Sequence, residues 1–423
     1  MNVTDKSQRH TSLFPLVEEA RMILQGVVTH TPLLRNDNLS DLYGAEIFLK
    51  REDLQPVRSY KLRGAYCKLF SLTPDERNRG LVCASAGNHA QGVAWSCRRL
   101  GIKGKIFMPA TTPAQKVRQV AFFGKEWVEI VLKGDTFDDA FAESMRESVE
   151  KSLPFIHPFD DDRVIAGQGT CALEILEDAR DFIDVWLVPI GGGGLAAGMS
   201  TVFREKSPET LLLGVEPEGA PSMSTSIRND RNTTLEQMDR FVDGAAVRRV
   251  GERTFEICHR NMDEVLLVPE GKICTSLLKL YNEEGMVLEP AGAMTVAVLD
   301  QCREKIRGKR VVCVISGSNN DITRTEEIRE RSLLHEGLKH YFIIRFPQRP
   351  GALREFLNEV LGINHDITFF QFAKKNNRES APAIVGLELN KPEDHRILID
   401  KMKKKGIACE YINEKPELFE YLI

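Results

Sequence analysis

No Cys-x-x-Cys pair occurs among the nine cysteines of this 423-residue chain (67, 83, 97, 171, 258, 274, 302, 313, 409), so the spacing that marks a structural zinc or a redox dithiol is missing. Their number is odd and their positions scattered, which suits reduced core residues of a cytosolic protein. No run of about 18 apolar residues exists, and the first ten residues, MNVTDKSQRH, hold no apolar stretch of the kind that drives secretion. The expectation is a cytoplasmic protein that neither crosses a membrane nor is exported. An excess of one charge is also lacking: 57 basic against 61 acidic side chains leave a net charge of −4, which gives no electrostatic case for nucleic acid or an anionic lipid surface. Repeats and low-complexity tracts are absent. What is present, 42% hydrophobic and 28% charged residues, describes an ordinary globular protein with room for two or three domains and a buried site for a small molecule.

Strand-like apolar runs at 45–49, 80–83, 105–108, 128–132, 185–190, 211–215 and 311–315 alternate with amphipathic stretches such as 137–151, 169–178 and 272–281. That alternation predicts an α/β fold around a largely parallel sheet. The charged stretch 322–334 reads as a connecting helix and places a boundary near residue 336, giving domains 1–335 and 336–423. After the boundary the pattern is strand 341–346, helix 351–361, strand 367–372, strand 383–389, helix 392–402 and strand 408–411, the βαββαβ order of a ferredoxin-like α+β unit. Pro350 suits the first turn of its first helix. Lys401, Lys403, Lys404 and Lys405 close its second helix, where cations complement the dipole.

Four consecutive glycines, Gly191, Gly192, Gly193 and Gly194, separate the apolar run ending at Ile190 from a helix-like stretch beginning at Leu195. A bare backbone there can aim several N–H groups at one anion, and the helix adds its positive dipole end, so a phosphate is the expected occupant. The owner of the phosphate stays open at this point. Gly191-x-Gly193-x-x-Ala196 fits a relaxed dinucleotide fingerprint, with Glu216 ending a following strand as a ribose acceptor, whereas no Gly-Lys-Ser/Thr ending supports a P-loop. Residues 50–66 break the tie. A loop there enters a helix at Ser59, placing Lys61 in the first turn, near the dipole's positive end and flanked by Arg58 and Arg63. Such surroundings lower an amine's pKa, as a Schiff-base lysine requires. In the segment Ser85-Ala86-Gly87-Asn88-His89, free amides and the Ser85 hydroxyl offer a site for a substrate carboxylate between a strand and a helix.

Ser59-Tyr60-Lys61-Leu62-Arg63-Gly64-Ala65, then Ser85-Ala86-Gly87-Asn88-His89-Ala90-Gln91-Gly92, then the glycine run together resemble the fold-type II pyridoxal phosphate enzymes, built from two open-sheet α/β subdomains. Within that group, over residues 20 to 320, the chain closely resembles the threonine dehydratases, also called threonine ammonia-lyases. The resemblance implies that Lys61 carries pyridoxal 5'-phosphate and acts as the general base. It further implies that Asn88 meets the cofactor's ring hydroxyl, that Gly191 to Gly194 and the amide of Leu195 hold its phosphate, and that Ser316 faces the pyridine nitrogen. Glu289 and Gly244 also lie in family-like stretches; Glu289 reads as a helix-start acid first and a site residue second. A neutral serine does not hold a proton on that nitrogen as an aspartate would, which favours prompt β-elimination.

Two departures narrow the reading. Serine racemases resemble these enzymes but carry a serine where this chain has Ala86, so racemisation is disfavoured. Related members bind a divalent cation through a Glu, a carbonyl and an Asp; Glu216 and Ala220 match, but Ser222 stands in place of the Asp, and no metal is expected. The implied reaction is deamination of L-threonine to 2-oxobutanoate and ammonia, the committed step of isoleucine biosynthesis. A serine-preferring dehydratase shares every motif, and an NAD-dependent dehydrogenase accounts for the glycines while leaving Lys61 and Asn88 without a role. The C-terminal unit resembles the single ACT-like regulatory domain of biosynthetic threonine dehydratases, implying isoleucine as an effector of a homo-oligomer, tetramer or dimer.

Overall fold

A computed structural model describes residues 12–372 and 379–415; residues 1–10, read above for an export signal, and the last part of the C-terminal domain, 416–423, lie outside them. The chain divides into two compact units, Met1–Glu270 with Glu283–Asp321, and Gly271–Asn282 with Ile322–Ile423. No helix among the described residues is long and apolar enough to cross a membrane.

In the first unit the strands are β1 (Leu33–Arg35), β2 (Glu46–Arg51), β3 (Leu81–Ala84), β4 (Gly104–Met108), β5 (Val128–Leu132), β6 (Val185–Pro189), β7 (Leu211–Pro217), β8 (Glu264–Val268) and β9 (Arg310–Ile315). They form a six-stranded sheet of order β1-β2-β9-β6-β7-β8 and a three-stranded sheet β3-β4-β5. Every pairing is parallel except β1 with β2. All five residues of β6 are buried, as expected of a central parallel strand covered by helices on both faces; within it Trp186 stacks on Phe203 with ring centroids 5.0 Å apart. The strands expected from sequence all form. β1 and β8 are additional: one is three residues long and largely exposed, the other half-buried, so neither carries a clear apolar period.

The helix Phe137–Lys151 starts on a reciprocal cap between Thr136 and Asp139, which sets its first residue where the sequence placed it. The helix Asp162–Asp178 starts earlier than the expected 169, because Asp161 accepts from the main-chain N–H groups of Arg163 and Val164 at 2.9 and 3.1 Å. Gly167 and Gly169 interrupt its periodicity for a tertiary reason. A Cβ on Gly167 would lie 2.7 Å from the Arg63 carbonyl oxygen, and one on Gly169 would lie 2.8 Å from that of Gly198. The helices Lys61–Phe70 and Gly194–Lys206 thus both lie at backbone contact against Asp162–Asp178, and that common support fixes Lys61 relative to the glycine run.

The second unit holds β10 (Lys339–Pro347), β11 (Asp366–Phe372), β12 (Ser380–Glu388) and β13 (Cys409–Tyr411), with helices Ala352–Glu359 and Asp394–Lys404. The order is β11-β12-β10-β13, antiparallel throughout. This is the ferredoxin-like arrangement expected from sequence. Phe342, Ile344, Phe356, Val385, Leu387, Leu398 and Met402 form its core. One local expectation needs correcting: Gly351, at φ +88°, is the N-cap of its first helix, so Pro350 precedes that helix instead of opening it. The turn needs a left-handed residue, and proline is locked out of that region. The helix Thr325–His335, expected as a connector, packs within this unit, where the Thr275 hydroxyl lies 3.0 Å from Ser332 Oγ and donates to Glu336 at 3.0 Å.

Candidate active site

The four glycines form a cup because no side chain fits at any of them. A Cβ on Gly191 would approach Ala245 Cα to 2.8 Å, and one on Gly192 would enter the Phe159 ring. At Gly193, φ is +92° and a Cβ would meet Met223 and Thr254 at 2.9 Å; at Gly194 it would meet Phe159 at 3.0 Å. The carbonyl of Gly192 accepts from the Thr254 hydroxyl at 2.7 Å and that of Gly193 from Ala197 N–H at 2.8 Å. Those donors hold the two carbonyls, so neither is left to oppose an anion. The N–H groups at the start of the helix Gly194–Lys206, Leu195 included, are left without intrahelical partners, which makes an anion site.

The wall over this cup comes from residues 157–160, which the sequence reading missed; nothing in His-Pro-Phe-Asp announces it. His157 Nδ1 accepts from the N–H of Asp160 at 2.8 Å, and Asp160 caps the helix Glu252–Asn261 through Glu252 and Arg253, each at 3.0 Å. The turn so held presents the Pro158 carbonyl to Lys61, whose Nζ donates to it at 2.8 Å. Lys61 is the first residue of its helix. Burial pushes its amine down to about 8, with the Glu289 carboxylate resisting the shift.

The direction agrees with the sequence reading, but the expected cause, flanking arginines, is wrong for Arg63. Its guanidinium is fully buried away from Lys61, donating to Glu52 through Nε at 2.8 Å and Nη2 at 2.7 Å, and to Glu174 at 2.7 and 2.8 Å. Lys50 Nζ completes the cluster, donating to Glu174 at 2.7 Å and to the Thr31 carbonyl at 2.6 Å. Burial alone would raise the Glu52 carboxyl, but Arg63 more than reverses this and holds it below the ordinary range. Arg63 therefore anchors the start of the Lys61 helix through two forked pairings.

Asn88 opens the helix Asn88–Leu100 as its first residue, with Gly87 as N-cap, so its side chain is not a cap. Its Nδ2 donates to Glu289 Oε1 at 2.7 Å, and its Oδ1 accepts from Asn319 Nδ2 at 2.6 Å. Glu289 is therefore part of the site, whereas the sequence ranked it first as a helix-start acid. It does stand at the N-cap of Pro290–Ala297, but its side chain makes no cap hydrogen bond. Burial, with Asp243 nearby, pushes its carboxyl up to about 7.

In the preceding loop, Ser85, Ala86, Gly87 and Asn88 are half-buried. The Ser85 N–H is taken by the Phe107 carbonyl at 3.1 Å, so it does not join the free amides expected there, and the Ser85 hydroxyl accepts from Gly87 N–H at 3.3 Å. The His89 ring turns into the core toward the Ile156 carbonyl at 2.9 Å, and burial, with Lys61 nearby, takes it down to about 3. Only its main-chain N–H is left for a substrate. Ser316 is 2% exposed at the end of β9, and its carbonyl accepts from Tyr60 N–H at 3.2 Å, joining this strand to the entry of the Lys61 helix.

Glu216 does not suit either role that was weighed for it. It is buried and accepts from the N–H groups of Met223 and Ser224 at 2.7 and 2.8 Å, with the Ser222 hydroxyl at 3.4 Å. Both oxygens are engaged at the start of the helix Ser222–Arg228, and burial raises the carboxyl to about 8. A neutral, fully engaged carboxyl suits neither a ribose nor a divalent cation.

A glycine cup that excludes every side chain, a buried amine of lowered pKa, and a buried hydroxyl without a protein partner at Ser59 Oγ, two residues from that amine, together fit a cofactor bearing both a phosphate and an aldehyde. Fold and site define the class: a pyridoxal phosphate enzyme of fold type II. In agreement, residues 24–317 match the pyridoxal-phosphate dependent enzyme family, and residues 330–422 match the C-terminal regulatory domain of threonine dehydratase. The chain is 54% identical over 404 residues to the L-threonine dehydratase biosynthetic IlvA of Halalkalibacterium halodurans, covering 96% of this chain and 97% of that protein. Among solved structures, it matches threonine deaminase isoform 2 of Solanum lycopersicum with TM-score 0.73 and 39% identity, over 76% of this chain and 88% of that one. It also matches serine racemase of Dictyostelium discoideum with TM-score 0.67 and 30% identity, over 73% and 99%. The chain belongs to the biosynthetic threonine dehydratase family.

Proposed function

We propose that this protein deaminates L-threonine to 2-oxobutanoate and ammonia for isoleucine biosynthesis, under feedback through its C-terminal domain. The observation that carries the chemistry is the buried Lys61 amine, with a pKa near 8, at the glycine cup. Pyridoxal phosphate, held by Lys61, Asn88, Gly191 to Gly194, Leu195 and Ser316, supplies the electron sink that makes the substrate's Cα–H acidic. The residues do the rest. Lys61 Nζ takes the α-proton as general base, within reach of neutral because burial has already lowered its pKa. Main-chain N–H groups of Ala86, Asn88 and His89, with the Ser85 hydroxyl held in place by the Gly87 N–H, orient the substrate carboxylate at a helix start. Lys61, now protonated, is the donor for the departing β-hydroxyl.

At position 86 the side chain is a methyl group, with no hydroxyl to act as a second base, so the same site does not racemise its substrate. The C-terminal unit offers a cavity of about 280 Å³ lined by Phe346, Arg349, Leu353, Phe370 and Phe372, largely apolar with Arg349 paired to Glu355, a lining suited to an aliphatic side chain such as that of isoleucine. The free cysteines, eight of them buried, suit a reducing cytoplasm, and a homo-oligomer, dimer or tetramer, is the assembly proposed.

The decisive assay follows oxo-acid formation from threonine and from serine, with and without isoleucine. A higher kcat/KM for threonine and inhibition by isoleucine are expected. A preference for serine, or indifference to isoleucine, defeats the corresponding half of the proposal. Lys61→Ala is expected to abolish turnover and the cofactor's visible band in the purified enzyme; retention of both would remove Lys61 from its role.

A further inference from the structure

The side-chain amide of Asn88 is held in one orientation by a chain of hydrogen bonds whose polarity is decided far from it. The Val57 carbonyl can only accept, so Asn319 must present its NH₂ group there, at 2.9 Å. The same Nδ2 lies 2.6 Å from Asn88, which must therefore offer its oxygen to it. The NH₂ end of Asn88 is then turned to Glu289, 2.7 Å away, an acceptor that is itself fixed by the main-chain N–H of Asn319. Glu289 is also wedged in place, since a Cβ on Gly317 would strike its Oε1 and one on Gly244 would lie 3.6 Å from it.

We infer that Glu289 and Asn319 are positioning residues that lock Asn88 as a hydrogen-bond donor toward the cofactor's ring oxygen, preventing the amide from flipping to present its carbonyl. This rests on the reading that Asn88 faces the cofactor. With one N–H given to Glu289, Asn88 keeps its second N–H for the ring oxygen, and a donor there favours the ionised form of that oxygen. A flipped amide would set carbonyl against oxygen and favour the protonated form. The electronic state of the ring is thereby set by a carboxylate acting through Asn88.

The test uses the full-length enzyme and reads pyridoxal phosphate itself, through its visible absorption band and its dissociation constant by titration. Glu289→Ala and Asn319→Ala are each expected to shift the band and weaken cofactor binding about tenfold, the scale of one buried hydrogen bond. Glu289→Gln, which keeps an acceptor oxygen for Asn88, is expected to restore the wild-type band. Because Glu289 acts through Asn88, adding Glu289→Ala to Asn88→Ala should change neither readout further. Melting curves of the cofactor-free proteins check folding, and should Glu289→Ala fail there, Asn319→Ala probes the opposite end of the lock. An unshifted band in Glu289→Ala alongside a shifted one in Asn88→Ala overturns the lock alone, as does an additive double variant. An unshifted band in Asn88→Ala overturns the placement of Asn88 and the lock with it.

Discussion

Replacing Arg63 by methionine tests whether the site is anchored by the buried ion cluster behind it. Arg63 and Lys50 balance Glu52 and Glu174, and the side chains of Arg63, Glu52 and Lys50 are fully buried. Methionine fills much of the volume but leaves two carboxylates facing one ammonium and strips Glu52 of both its forked bonds. Removing one partner of a buried pair costs about 3–5 kcal/mol. For a folding unit of this size that corresponds to a fall of about 6–10 °C in melting temperature. The loss should also reach function, because Arg63 lies two residues, about half a turn, beyond Lys61 on a helix that contacts Asp162–Asp178 through backbone atoms. Cofactor retained after gel filtration is expected to drop with the melting temperature. Adding Glu52→Gln removes the surplus charge and should recover most of the loss, whereas Arg63→Lys should not, since a point charge does not reproduce two planar forks. Differential scanning calorimetry with cofactor quantification is the assay. If Arg63→Met melts with the wild type and keeps its cofactor, the cluster does not hold the Lys61 helix.

Covalent uptake of pyridoxal phosphate by the cofactor-free enzyme needs the unprotonated Lys61 amine, so its rate should climb about tenfold per pH unit and level off above pH 8, the value to which burial lowers the amine. A rise continuing toward an ordinary lysine near 10.5 would contradict that burial. Glu216 has a folded pKa of about 8 against an ordinary 4.5, so the folded state binds the extra proton and the associated stability is lost as pH rises through that interval. Melting temperature should therefore fall between pH 5 and 8 less steeply in Glu216→Gln than in the wild type; identical slopes would show that Glu216 titrates normally.

Seven of the nine strands of the first unit, the βαββαβ tail, and Lys61 and the glycine run as candidate site features were legible in the sequence alone, because each depends on a local signal. Apolar runs long enough to fill a buried strand, four adjacent residues without Cβ, and a lysine at a strand-to-helix entry keep their meaning whatever surrounds them. The tertiary structure decided what depends on partners distant in the chain. Arg63 sits beside Lys61 in sequence yet faces Glu52 and Glu174, because an arginine directed at them is stabilised and one directed at Lys61 is not. Gly167 and Gly169 look like interruptions of a helix until the backbones of Arg63 and Gly198 are seen against them. Glu289 and Asn319 follow Asn88 by some two hundred residues, and only the fold brings their polar atoms within hydrogen-bond reach. Burial, which sets the proton affinity of Lys61, is likewise a property of the packed chain: the sequence names the amine, and the surrounding protein lowers its pKa.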